Sequence, residues 1–98
     1  ERNVALVCFF LVIAVLVSAF FRISLIEWVI VALCCGLVLV TELLNTAIEA
    51  VTDLACNDEI HPLAKIAKDT AAAATLVASV TSLIAAVLVF GPRILALF

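Results

Sequence analysis

The sequence of 98 residues contains no Tyr and no Met, a single Trp, two Gly and two Pro, and only 13% of it is charged. Each scarcity excludes something. So little Gly and Pro leaves no room for a loop-rich or disordered chain. Two glycines also cannot build a glycine-rich phosphate loop. A soluble domain is about a quarter charged, and a chain this short has a high surface-to-volume ratio. With so few charges it could not cover a core in water. One Trp and no Tyr nearly eliminate an aromatic girdle. The net charge of −3 argues against a nucleic-acid binder, which needs a basic surface. Without Met the sequence does not begin at a natural start codon, so a native N-terminal piece of unknown length is expected before Glu1.

What remains is 68% apolar, with a mean hydropathy of +1.45, and this points to lipid as the solvent. Cys8, Cys34, Cys35 and Cys56 form no CxxC pair and are read as small buried hydrophobes. No small-residue cleavage pattern follows the first apolar run, so no cleavable signal peptide is read.

Three apolar runs predict three transmembrane helices in an all-α membrane protein and a single domain over residues 1–98. Residues 4–21 carry no charge, lie between Arg2 and Arg22, and just reach the ~17 residues a span requires. Their apolar side chains surround the whole cylinder. Residues 22–28 form the first break, with Glu27 and Trp28 as an interfacial edge. The second span covers residues 28–53, helical by composition throughout. Asn57, Asp58 and Glu59 mark a turn. His61 is read as a turn cap, and Pro62 suits the first turn of a third helix. That helix spans the membrane over residues 70–90 and stops at Gly91-Pro92-Arg93. Its small residues, Ala71 to Ala74 with Ala78, Ser79, Ser82, Ala85 and Ala86, permit close packing in lipid. Arg2, Lys65 and Lys68 share one membrane side and Arg22 and Arg93 the other, so the positive-inside rule places the second connection in the cytoplasm.

The second span is the informative one. At ~100° per residue, Glu42, Asn45, Thr46, Glu49 and Asp53 fall within ~100° of arc. The apolar residues 28–40 rise only ~20 Å, so Glu42 lies within or at the edge of the hydrocarbon core. A charged group there costs about 2.5–3.5 kcal/mol on insertion scales. The stripe must face protein, water or a ligand, unless the helix simply emerges after Val40. Carboxylates with an amide suit a hard divalent cation beside phosphate oxygens, and a carboxylate can accept the proton of an attacking hydroxyl. Lys68 could neutralise phosphate or merely snorkel. Three helices cannot enclose such a stripe, so a homo-oligomer is expected. On these residues alone, a small proton-coupled transporter competes with a phosphoryl-transfer enzyme, and a pore-forming oligomer leaves the stripe unexplained.

Residues Glu42-Leu43-Leu44-Asn45-Thr46-Ala47-Ile48-Glu49-Ala50-Val51-Thr52-Asp53, followed by His61-Pro62-Leu63-Ala64-Lys65-Ile66-Ala67-Lys68-Asp69, resemble the prokaryotic diacylglycerol kinase and undecaprenol kinase family of small membrane lipid kinases. The resemblance covers essentially the whole chain. It implies a homotrimer in the bacterial inner membrane, with shared active sites near the cytoplasmic face. The implied reaction moves the ATP γ-phosphate to a lipid hydroxyl with Mg²⁺. By resemblance Glu42 is the catalytic base, Glu1 and Glu49 are metal carboxylates, Asn45 is a polar site residue, Lys68 and Asp69 contact the nucleotide, and Asp53 completes the block. The family's amphipathic surface helix before the first span has no counterpart in the sequence. The segment from His61 to Lys65 resembles the undecaprenol branch, which puts undecaprenol ahead of diacylglycerol as the acceptor.

Overall fold

A computed structural model describes residues 2–57 and 59–98. The described chain forms three α-helices: α1 (Arg2–Phe21), α2 (Leu25–Cys56) and α3 (Pro62–Leu95). All three are long and apolar enough to cross a membrane. No strand occurs among the described residues. The molecule is a rod of 55 × 22 × 19 Å in which α3 packs chiefly along α2 and α1 against the first part of α2.

The helix ends at both connections are closed by local residues, as lipid and its interface require of any backbone polar group. After α1, Arg22 takes a left-handed φ of 51°. Arg22 N–H bonds Ala19 O at 3.2 Å and Ile23 N–H bonds Ser18 O at 3.4 Å, the Schellman arrangement, with Ile23 buried beneath it. The turn lets α2 begin at Leu25, three residues earlier than expected. Ser24 is its N-cap and forms a capping box: the Ser24 hydroxyl accepts from Glu27 N–H at 3.2 Å, and a Glu27 oxygen accepts from Ser24 N–H at 3.0 Å. The expected seven-residue break therefore shrinks to Arg22–Ser24, because Glu27 is a capping residue inside the helix. At the other end, Asn57 is left-handed and its N–H bonds Asp53 O at 3.1 Å. His61 caps α3 as read from the sequence, its Nδ1 accepting from Leu63 N–H at 3.1 Å, with Pro62 at the first position.

One expectation fails. α3 does not stop at Gly91-Pro92 but runs to Leu95. Proline there removes one N–H, which would have served Leu88 O, and does so in the final turn. Arg93 holds that turn. Its guanidinium donates to both Glu27 oxygens at 2.6 Å each, and to Val89 O at 2.9 Å. The pair ties the last turn of α3 to the first turn of α2.

Burial between helices is narrow. Ile23, Ala71, Ala78 and Val89 are the buried apolar side chains among the described residues, and large apolar groups line the outside of every helix. Among the covered or half-covered positions of α3, Ala64, Lys68, Ala71, Thr75, Ala78, Ser82, Ala85 and Val89 follow a heptad seam of mostly small residues. Small side chains let the backbones approach, and the Ser82 hydroxyl bonds Cys34 O across the seam at 3.4 Å. Ala72, Ala73, Ala74 and Ser79, grouped with the packing residues on sequence grounds, instead point outward. The four cysteines are free thiols. Cys34, Cys35 and Cys56 are half-buried, but Cys8 is exposed on the lipid side rather than buried.

Replacing Arg93 by Ala should leave Glu27 with its capping role alone and lower the thermal midpoint in detergent. Arg93→Lys should restore only part of the loss, because an ammonium cannot grip both carboxylate oxygens. An unchanged midpoint in Arg93→Ala would show that the pair holds nothing.

Candidate functional site

The site follows from a length mismatch. With 32 and 34 residues, α2 and α3 rise ~48 and ~51 Å at 1.5 Å per residue. The hydrocarbon core is only ~30 Å thick. The α2–α3 hairpin therefore carries its last turns beyond the core, and the polar residues concentrate there.

On α2, Asn45 faces the seam and is 8% exposed. Its Nδ2 donates to Glu49 Oε1 at 3.3 Å. The partner is a carboxylate, so the donor end of the amide must point at it, and Oδ1 is left over. That oxygen is buried with no hydrogen-bond partner. Beside it runs a groove of about 520 Å³, apolar except for Thr41, Asn45 and Thr70. Glu42, one turn earlier, is half-buried and makes no ion pair or hydrogen bond among the described residues. Glu49 and Asp53 are exposed.

α3 supplies the cations from its first turns, ahead of the apolar span. Lys68 donates to Asp53 across the hairpin at 2.5 Å. This hydrogen bond holds the Lys68 ammonium above its ordinary range, and Glu49 adds a weaker attraction. Lys65 donates along the helix to Asp69 at 2.8 Å, which raises Lys65 likewise. Between these groups lies an open cavity of about 360 Å³, whose walls include Asp53, Cys56, Glu59, Lys65, Lys68 and Asp69.

Of the residues singled out in the sequence, the structure links Asn45 to Glu49 and Asp53 to Lys68. Asp69 is bound to Lys65 rather than to Lys68. Glu42 stands apart from all of them, and Glu1 lies outside the described residues. The expected single acidic stripe is divided: Asn45 turns into the seam while Glu49 and Asp53 stay outside it. Sequence reasoning passed over Lys65, Cys56 and Glu59 as wall residues. The i,i+4 spacing of Lys65 and Asp69 was the available signal for the first. No group of three or more His, Cys, Asp or Glu gathers as a metal cluster among the described residues. Chemically the arrangement offers carboxylates to a hard cation, two ammonium groups to a polyanion, and an unpaired carboxylate to a proton.

A three-span helical membrane protein with a polar hairpin at one membrane edge is the class that fold and site define. A family model described as prokaryotic diacylglycerol kinase matches residues 1–90, and the chain belongs to that family. It is similar to an undecaprenol kinase of Bacillus subtilis, 49% identical over 82 residues, which are 83% of this chain and 66% of that one. It is similar to a diacylglycerol kinase of Synechocystis, 37% identical over 97 residues, 99% of this chain and 55% of that one. A diacylglycerol kinase of Helicobacter pylori is 38% identical over 84 residues, 86% of this chain and 62% of that one. The chain thus spans between 55% and 66% of the length of these curated relatives. No solved structure matches it.

The orphaned Asn45 oxygen generates a stability test. A buried polar atom without a partner costs about 1–3 kcal/mol, so the near-isosteric Asn45→Leu should leave the thermal midpoint unchanged or raise it. A fall of the size expected for a lost core contact would contradict the unpartnered state of Oδ1.

Proposed function

We propose that the protein is an ATP-dependent membrane lipid kinase whose acceptor is a lipid alcohol, undecaprenol in the first place. The observation that carries this reading is the half-buried Glu42 carboxylate, unpaired among the described residues and one turn from the Asn45–Glu49 pair, on the hairpin that also carries Lys68. Membership of the family and the name of the Bacillus relative support the acceptor. The names of the Synechocystis and Helicobacter relatives keep diacylglycerol as the second reading.

Phosphoryl transfer is mostly positioning and charge neutralisation, which suits a site built from acids, an amide and lysines. Glu42 accepts the proton of the lipid hydroxyl. The hydroxyl oxygen forms a bond to the γ-phosphorus as the bond from phosphorus to the ADP oxygen breaks. Lys68 offsets phosphate charge, and Asp53 and Asp69 orient the lysines and the nucleotide. The residues present fit Mg²⁺. The ion needs only one or two carboxylates when phosphate oxygens complete its shell, so the absence of a three-residue cluster among the described residues is no obstacle. Glu49, its side chain steadied by the Asn45 amide, would serve as one such carboxylate, with Glu1 as the second by resemblance. When bound, Mg²⁺ supplies charge neutralisation at the phosphates.

Glu49 and Asp53 are open on the protomer surface. We place a second copy of the chain against them, in a homotrimer with shared sites. The site lies at the cytoplasmic face of the bacterial inner membrane, the side of Arg2, Lys65 and Lys68.

The test is protein in mixed micelles with γ-labelled ATP, Mg²⁺ and either lipid. Label should enter undecaprenyl phosphate in preference to phosphatidic acid. Glu42→Gln should slow turnover by about 10²–10⁴-fold, the usual share of a general base, while nucleotide affinity is kept. No label in either lipid would contradict the kinase reading.

A further inference from the structure

The cavity at the head of α3 holds more positive charge than Lys68 alone. Lys65 stands one turn before Lys68 and lines the same cavity. Residues three apart on a helix are neighbours, with Cβ atoms about 5–6 Å apart. The two ammonium groups thus start from adjacent points and are drawn to different carboxylates, Lys68 to Asp53 on α2 and Lys65 to Asp69 on α3.

The Lys65–Asp69 pair has little structural value. Its side chains are 78% and 66% exposed, and an exposed i,i+4 pair contributes little to stability. Both of its residues lie on α3, whereas the Lys68–Asp53 pair joins two helices. The charge balance of the cavity makes Lys65 informative. Two ammonium groups face three carboxylates, Asp53, Asp69 and Glu59, so with both lysines paired the cavity is net negative. A polyphosphate entering there meets repulsion unless the lysines turn from carboxylate to phosphate. Lys68 alone would leave two carboxylates uncompensated beside the incoming charge.

We propose that Lys65 is a second polyphosphate-binding cation, paired with Asp69 as Lys68 is with Asp53, and that both lysines exchange a carboxylate for phosphate oxygens when a nucleoside triphosphate binds. This rests on the nucleotide reading of the site given above. The exchange moves no covalent bond. It frees Asp53 and Asp69 for the cation that accompanies the nucleotide or for nucleotide hydroxyls. It also makes affinity depend on the number of phosphates rather than on the base.

Cys56 gives a readout independent of turnover, because its half-buried thiol lines the same cavity. The full chain in detergent is alkylated with a maleimide, and modification of Cys56 is followed by peptide mass spectrometry with increasing Mg-ATP, Mg-ADP or Mg-AMP. The KM for Mg-ATP in lipid phosphorylation is measured in parallel. In Lys65→Gln the half-protecting Mg-ATP concentration and the KM should each rise about tenfold, the equivalent of one charge-assisted contact. Mg-ADP should lose less and Mg-AMP nothing, with kcat kept at saturating Mg-ATP and the thermal midpoint unchanged. Lys65→Arg should stay close to the parent protein. Unaltered Mg-ATP values in Lys65→Gln, with the parent still protected or still turning over, would overturn the role of Lys65 and leave the nucleotide reading intact. An equal loss for all three nucleotides would overturn it as general damage. A parent chain that neither shows Mg-ATP protection nor consumes ATP would remove both.

Discussion

The thickness of the hydrocarbon core organises this molecule. A chain with 13% charged residues can only be solvated by lipid, and lipid allows irregular backbone and unpaired charge only at its edges. α1 is just long enough to cross, whereas α2 and α3 overshoot together. Everything polar follows from that overshoot. At one edge Glu27 and Arg93 lock the two helices with a bidentate pair. At the other, the same two helices carry carboxylates, lysines and a buried amide. The seam between them is made mostly of alanines and hydroxyls, so the backbones lie close and the polar ends stay in register.

The site has the marks of parts held ready rather than optimised for stability. Asn45 spends its donor on Glu49 and buries its acceptor without return. Glu42 is half-covered yet bonded to nothing among the described residues. Both lysines are paired with carboxylates at the exposed head of the hairpin. Such unsatisfied groups lower stability and are retained where function needs them. The open side of Glu49 and Asp53 is also where a second protomer would complete the enclosure, consistent with a reading in which no single chain forms the whole site.

Much of this was legible in the sequence. Three uncharged runs identify three spans, and His61-Pro62 marks the start of α3, because those signals are local. The start of α2 was missed by three residues because Glu27 was read as an interfacial charge rather than as the partner of Ser24. The end of α3 was missed because a proline in the last turn removes only one hydrogen bond, and Arg93 offsets the weakness through a residue 66 positions away. The heptad seam was only partly visible: Ala71, Ala78, Ser82 and Ala85 stand out as small residues, but the apolar span of α3 gives burial no contrast in polarity. The residues Glu42, Asn45, Glu49 and Asp53 were visible as a stripe, but helical angles alone could not show which of them turns inward. Lys65 counts in the sequence for membrane orientation and for the family resemblance but not as a site residue, since its cavity exists only once α2 and α3 are paired.

The central claim is that the outer turns of α2 and α3 form a platform for a divalent cation carried in with a nucleotide. Electron paramagnetic resonance of Mn²⁺ in place of Mg²⁺ tests it most directly. Immobilised Mn²⁺ should appear on the protein when ATP is present, and Glu49→Gln should weaken that signal. Equal Mn²⁺ binding with and without ATP, or a signal indifferent to Glu49→Gln, would contradict it.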